Sequence, residues 1–180
     1  MRTNGRIFAA TQAVMILLCS VIAIGLHHAP LLEGFLYRHI IFRIAAVLAV
    51  GAVYVGAGKL MRLRSFVDVL SLLFVPAVFW SVLMVAAYFG GGNDAFLRGP
   101  FRSMWRFPLD IAMLPQMVVM GLLRLRYTPQ IHMAFAFVAQ IAMILAAWRR
   151  MLHYRRRVAK RNRRRAAERR RISEREERRS

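Results

Sequence analysis

The chain is poor in cysteine and in negative charge. One cysteine among 180 residues excludes a disulfide-built secreted scaffold. Eight Asp and Glu stand against 28 Lys and Arg, for a formal net charge of +20, so the partners that suit the chain are anionic. Residues 149–180 contain neither proline nor glycine, so nothing there breaks a helix. Catalytic sets are missing as well. No Ser-His-Asp or Cys-His combination falls on one connection. His27, His28, Glu33 and His39 share a connection, but their spacing matches no metal-ligand pattern. A phosphate loop ending at Gly58 and Lys59 needs glycine at position 53, where Val53 stands. These absences predict a protein that is not an enzyme, with no catalytic residue, cofactor or metal.

What is abundant is apolar: 58% of the residues are hydrophobic. The charge is not spread over them. Residues 1–148 hold 12 of the basic and 4 of the acidic residues; residues 149–180 hold the other 16 and 4. An oily body is joined to a short basic tail. The body is too apolar to be disordered, and the combination predicts an integral membrane protein. Two units follow: residues 1–148 as a transmembrane bundle, and residues 149–180 as a basic cytoplasmic tail.

A helical span takes roughly 20 apolar residues. Five segments qualify as candidates: 7–26, 40–57, 66–89, 107–123 and 131–148. Their continuous Ala, Leu, Val and Met content predicts helices, not the alternating strands of a barrel. Arg2 and Arg6 precede the first run as in a signal peptide, but the run is long for one and ends without an Ala-x-Ala site, so it is expected to stay as a span. Ala45, Ala49, Ala52 and Gly56 lie at helical spacing on the second segment and suit close packing between helices. Pro76 and Pro115 fall within segments and predict kinks. The connections hold no soluble domain.

Orientation follows from flanking positive charge. The tail after Trp148 predicts a cytoplasmic C-terminus. Five spans then put the N-terminus outside, with Arg2, Arg6, Lys59, Arg62, Arg64, Arg124 and Arg126 on the unfavoured side. Four spans, with segment 107–123 re-entering the side it left, put both termini inside and leave Arg38, Arg43, Arg98, Arg102, Arg106, Arg124 and Arg126 outside. Seven residues oppose each arrangement. The short fourth segment, with Pro108, Asp110 and Pro115, favours re-entry; its apolar run from Ile111 to Leu123 favours a fifth span, and the reading settles on five.

Charged residues within spans are costly and draw a functional reading. Arg43 and Asp110 begin segments that start on one side, which predicts an ion pair between them. Asp68 has Arg64 four residues before it and suits a local pair. Arg43, Ala46, Val50 and Tyr54 share one helical face, so Tyr54 and Asp68 are candidate polar positions. Between the third and fourth segments, a helix opening at Pro100 would set Phe101 and Trp105 on one stripe and Arg102 and Arg106 on the next. That predicts contacts of Arg102, Trp105 and Arg106 with lipid headgroups.

The tail is expected to continue the last span as a helix. Arg149, Arg150, Arg155, Arg156 and Arg157 are candidate contacts to anionic headgroups, at about 1 kcal/mol for each basic residue near such a surface. A protein partner in the membrane or at its cytoplasmic face is a second expected partner. Nucleic acid or ribosome contact is a third, disfavoured because no aromatic residue interleaves with the distal arginines. The expectation is a small multi-pass protein of the cytoplasmic (plasma) membrane, serving as a non-enzymatic accessory or assembly subunit. The alternative is a small transporter or channel subunit using Arg43, Asp68 and Asp110.

Overall fold

A computed structural model describes the backbone of residues 2–61, 63 and 66–177, and the side chains of residues 4–61, 63 and 66–162. Among these the fold is all-helical. Its elements are α1 (Arg2–His27), α2 (Pro30–Arg38), α3 (Ile40–Gly58), α4 (Phe66–Gly91), α5 (Asp94–Leu97), α6 (Phe107–Ala112), α7 (Leu114–Leu122) and α8 (Pro129–Glu177). Four stretches are long and apolar enough to cross a membrane: Asn4–His27, Ile40–Gly58, Phe66–Gly91 and Pro129–Asn162. Helix is what the solvent requires, since lipid offers no partner to backbone N–H and C=O groups.

The distribution of side chains is inverted relative to a water-soluble bundle. Large apolar groups such as Leu17, Val21, Phe74, Val82 and Leu145 point outward, while Gln12, Arg106, Asp110, Gln116, His132 and Gln140 are buried. A continuous apolar exterior of this kind fits a protein whose surroundings are hydrocarbon.

Contacts at the two ends of the bundle fix the path of the chain. At one end, Ile7 and Phe8 of α1 pack with Met61 and Leu63 of the α3–α4 connection, Leu72 of α4, and Met143 and Ala147 of α8. This is the end from which the basic tail leaves. At the other end, Arg43 in the first turn of α3 donates to the Leu122 carbonyl at the close of α7. Arg106 reaches the Phe96 carbonyl just beyond α4 and His132 in the first turn of α8. So α4 arrives and α8 departs at this second end, and the chain between them begins and finishes there.

The fourth apolar segment therefore does not form a fifth long helix. It is the pair α6 and α7, which enters the bundle, reaches the depth of Gln12, and returns to the same end. Its prolines explain the break. Each half opens with a proline in its first turn, Pro108 in α6 and Pro115 in α7, where the missing N–H is harmless. Pro115 also cannot continue the ladder from α6, and Met113 takes φ −103° and ψ 15° between the halves. The Ala112 carbonyl thus accepts from Gln12 Nε2 at 2.9 Å. Non-helical backbone at this depth requires protein around it. Leu114, Pro115, Gln116, Met117, Met120 and Leu122 of α7 are all buried. Pro76, by contrast, lies inside an uninterrupted α4, on the buried row Asp68, Leu72, Pro76, Trp80 and Met84.

Close packing on α3 is also not where the small-residue spacing put it. Ala45, Ala49, Ala52 and Gly56 are all exposed, Ala49 toward a cavity beside α1. The tight approach is at Gly58, where a Cβ would stand 2.4 Å from the Met143 carbonyl oxygen and 2.7 Å from its Cα. Both obstacles are backbone, so neither can swing aside. Gly58→Ala is expected to cost about 1–3 kcal/mol by overpacking, read as a lower thermal midpoint in detergent. Gly56, with nothing within 4 Å of a built Cβ, is the control: Gly56→Ala should not lower the midpoint. Equal losses at both positions would remove the α3–α8 contact as the cause.

Candidate functional site

Two buried polar clusters hold the re-entrant segment, and they contain most of the intramembrane residues with chemical potential. The first is centred on Arg106, which is 0% exposed, as are Asp110 and His132. Arg106 precedes α6 by one residue, so Asp110 lies one helical turn along and Nε meets Oδ1 at 2.6 Å. The second carboxylate oxygen accepts the Phe101 backbone N–H at 2.7 Å. Nη1 donates to the carbonyls of Phe96 at 2.9 Å and Ala95 at 3.3 Å. Nη2 lies 3.3 Å from His132 Nε2. The rings of Phe96 and Tyr127 flank the guanidinium at 5.3 and 5.7 Å.

These partners define the state of His132. Its Nδ1 lies 3.0 Å from the Thr128 carbonyl, which can only accept. Its Nε2 faces a guanidinium, which can only donate. The imidazole is therefore neutral, with its proton on Nδ1. Burial also holds the nearby Tyr127 hydroxyl above the ordinary phenol value, with the coulombic influence of Tyr37 second. The cluster carries one cation and one anion, and each is held by more than one hydrogen bond, as burial demands.

The second cluster lies deeper. Gln12 of α1 and Gln116 of α7 face each other, with Gln12 Nε2 donating to Gln116 Oε1 at 3.2 Å and Gln116 Nε2 returning to Gln12 Oε1 at 3.5 Å. The Tyr54 hydroxyl of α3 donates to Gln12 Oε1 at 2.7 Å. Three helices are thus pinned through one amide. Elsewhere in the core, Gln140 is 1% exposed and neither its Oε1 nor its Nε2 has a partner among the described residues; Trp80 Nε1 is in the same condition.

The expected site residues are redistributed by this geometry. Arg43 and Asp110 do not pair: Arg43 serves the Leu122 carbonyl, and Asp110 is taken by Arg106. Tyr54 turns to Gln12, so it shares no polar lining with Arg43. Pro100 opens no helix. Turns run through this stretch, with Gly99 at φ 90° and Phe101 at φ 57°, and the proposed stripes do not form. Arg106 does not lie on the surface as a headgroup contact would but is 0% exposed, as is Asp110, whereas Trp105 is 61% exposed and Arg102 is exposed. Asp68 is buried on the inward row of α4, and its expected pair with Arg64 lies outside the described residues. Arg149, Arg150, Arg155, Arg156 and Arg157 are exposed on α8. The sequence reading missed Gln12 and Gln140. Each is a lone amide within an apolar run, and that placement was the available signal.

Three outcomes test the assignment. Arg106→Met should cost about 3–5 kcal/mol by leaving Asp110 buried and unpaired, and Arg106→Met with Asp110→Leu should recover much of that. Arg43→Gln and Asp110→Asn should add within about 0.5 kcal/mol, as uncoupled sites do. Additivity at the first pair and coupling at the second, in detergent unfolding, would reverse the assignment. Gln140→Leu should stabilise the fold by on the order of 1 kcal/mol, because it removes two unmatched polar atoms from the core; an unfolding midpoint that falls would show Gln140 to be satisfied.

No family model, curated protein or solved structure matches the chain.

Proposed function

We propose that the chain is a non-enzymatic accessory or assembly subunit of a complex in the cytoplasmic membrane, with its basic tail on the cytoplasmic side. One observation carries this reading. The polar groups of the two buried clusters, which could otherwise bind a solute or move a proton, are engaged with one another. Arg106, Asp110 and His132 are closed to solvent and mutually bonded, and Gln12, Tyr54 and Gln116 bond across three helices. Such groups act as fasteners. The tail offers the opposite: residues 152–162 are all exposed along one helix, which gives a partner an accessible basic surface.

The orientation gains support from how the opposing charges are placed. The start of α1, the α3–α4 connection and the tail share one end. Of the seven basic residues assigned to the other end, Arg106 is neutralised by Asp110 and Arg43 is bonded to backbone within the bundle. Charge counting then favours the tail end as the cytoplasmic one.

A cavity of about 390 Å³ between α1, α2, α3 and α7 favours the second reading, a small transporter or channel subunit. Its wall is apolar, with Cys19, Val50 and Val118 within and His27, Glu33 and Tyr37 in its lining. Arg43, Asp68 and Asp110 are absent from that lining, so transport through it would not use them.

Purification in mild detergent, with and without residues 155–180, tests the leading reading. A stoichiometric protein partner lost with the tail is the expected result. A chain carrying lipid alone, unchanged by truncation, would remove tail docking and leave transport. In a Cys19→Ala background, single cysteines at Asn93 and Thr128 should both react with an impermeant reagent from outside intact cells, and one at His153 only after permeabilisation. Opposite sides for Asn93 and Thr128 would restore a fifth crossing.

A further inference from the structure

We infer that the notch between the end of α3 and the outgoing α8 is a binding site for one anionic phospholipid. Helices α3 and α8 touch at Gly58 and Met143. Beyond that point α3 ends at Gly58 while α8 continues to Glu177, and a cavity of about 1070 Å³ lies in the angle between them. Its floor is apolar, made by Val55 of α3 and by Ala142, Leu145 and Ala146 of α8. Its rim is basic, made by Lys59 from α3 and by Arg149, His153 and Arg157 from α8. No acidic residue lines it.

The order of these surfaces identifies the occupant. Trp148, half-exposed, is the aromatic residue that marks the edge of the hydrocarbon on α8. The floor lies on the hydrocarbon side of it and the rim on the water side. An acyl chain joined to a phosphate has the same succession, apolar and then anionic. An acidic protein segment would match the rim and leave the floor without a complement. From Arg149 to Arg157 the helix rises about 12 Å. Because helical side chains lean toward the N-terminus, Arg157 reaches back toward the notch. The rim charges are also available. Arg150 is committed to the Lys59 carbonyl, but the side chains of Lys59, Arg149 and Arg157 make no hydrogen bond or ion pair among the described residues. Arg155 and Arg156 carry the same charge in the same stretch and do not line the notch. That distinguishes a site from a general attraction to an anionic surface.

This inference does not depend on the accessory-subunit reading. Its test compares retained phosphatidylglycerol with retained phosphatidylcholine by native mass spectrometry of the full chain, reconstituted in mixed vesicles of the two and extracted in mild detergent. Wild type should retain one phosphatidylglycerol. Lys59→Gln with Arg149→Gln should weaken retention on the order of thirtyfold, at about 1 kcal/mol for each charge and about a tenfold loss per 1.4 kcal/mol. Arg155→Gln with Arg156→Gln removes the same charge and should leave retention little changed. Equal losses in the two variants, no loss in either, or an acidic protein found in the notch in place of lipid would overturn the site. Should the first variant fail to fold, the wild-type chain still decides: its thermal midpoint should rise with added phosphatidylglycerol and not with phosphatidylcholine, and no selective rise would overturn the site equally.

Discussion

Hydrocarbon will not hydrogen-bond to a peptide group, and the architecture follows from how the chain meets that constraint in its one broken segment. A continuous helix closes its own ladder. The pair α6 and α7 does not, because Pro115 interrupts it at mid-depth and both halves expose helix ends. The rest of the bundle supplies what is missing. Gln12 serves the Ala112 carbonyl, Arg43 serves the Leu122 carbonyl, and Arg106 serves the carbonyls of Ala95 and Phe96 in the connection before α6. The long helices act as walls around a segment that could not exist at that depth alone.

The buried charges make sense in the same terms. An isolated ion at this depth would be prohibitive, and a buried ion pair is seldom a net source of stability. Arg106 and Asp110 instead provide specificity of place. With six bonded or ring contacts converging on one guanidinium, the α5 region, the start of α6 and the first turn of α8 have a single mutual arrangement. Neutral His132 completes that arrangement by accepting from the arginine while donating to the Thr128 carbonyl.

Much of this was legible in the residues. The long apolar runs predict long apolar helices, and four of the five segments fall within such helices; 40–57 and 66–89 match at both ends to within two residues, while α8 runs on well past residue 148. The fourth segment was ambiguous because its composition from Ile111 to Leu123 reads as a span while its prolines read as a turn. Which prevails depends on whether Gln12, a hundred residues earlier, stands where it can take the freed carbonyl. The pairing of Arg43 with Asp110 failed for a related reason. Depth can be inferred from position in a run, but a partner four residues away, Arg106, was closer than one on another helix. Likewise, the spacing of Ala45, Ala49, Ala52 and Gly56 marks a face without saying whether that face turns inward.

The two clusters also impose an order of assembly during synthesis. Gln12, Arg43 and Tyr54 precede the re-entrant segment in the chain, so the receptors for its broken backbone emerge before it does. His132 follows it. Until α8 is made, the Arg106 cluster lacks one wall, and the nascent protein holds a charged hairpin loosely enclosed by three helices. Completion of the last helix is the event that shuts it. A ribosome that stalls before residue 132 would leave an intermediate with its most costly charges incompletely enclosed, and clearance of such products by quality control would then begin from a recognisable defect.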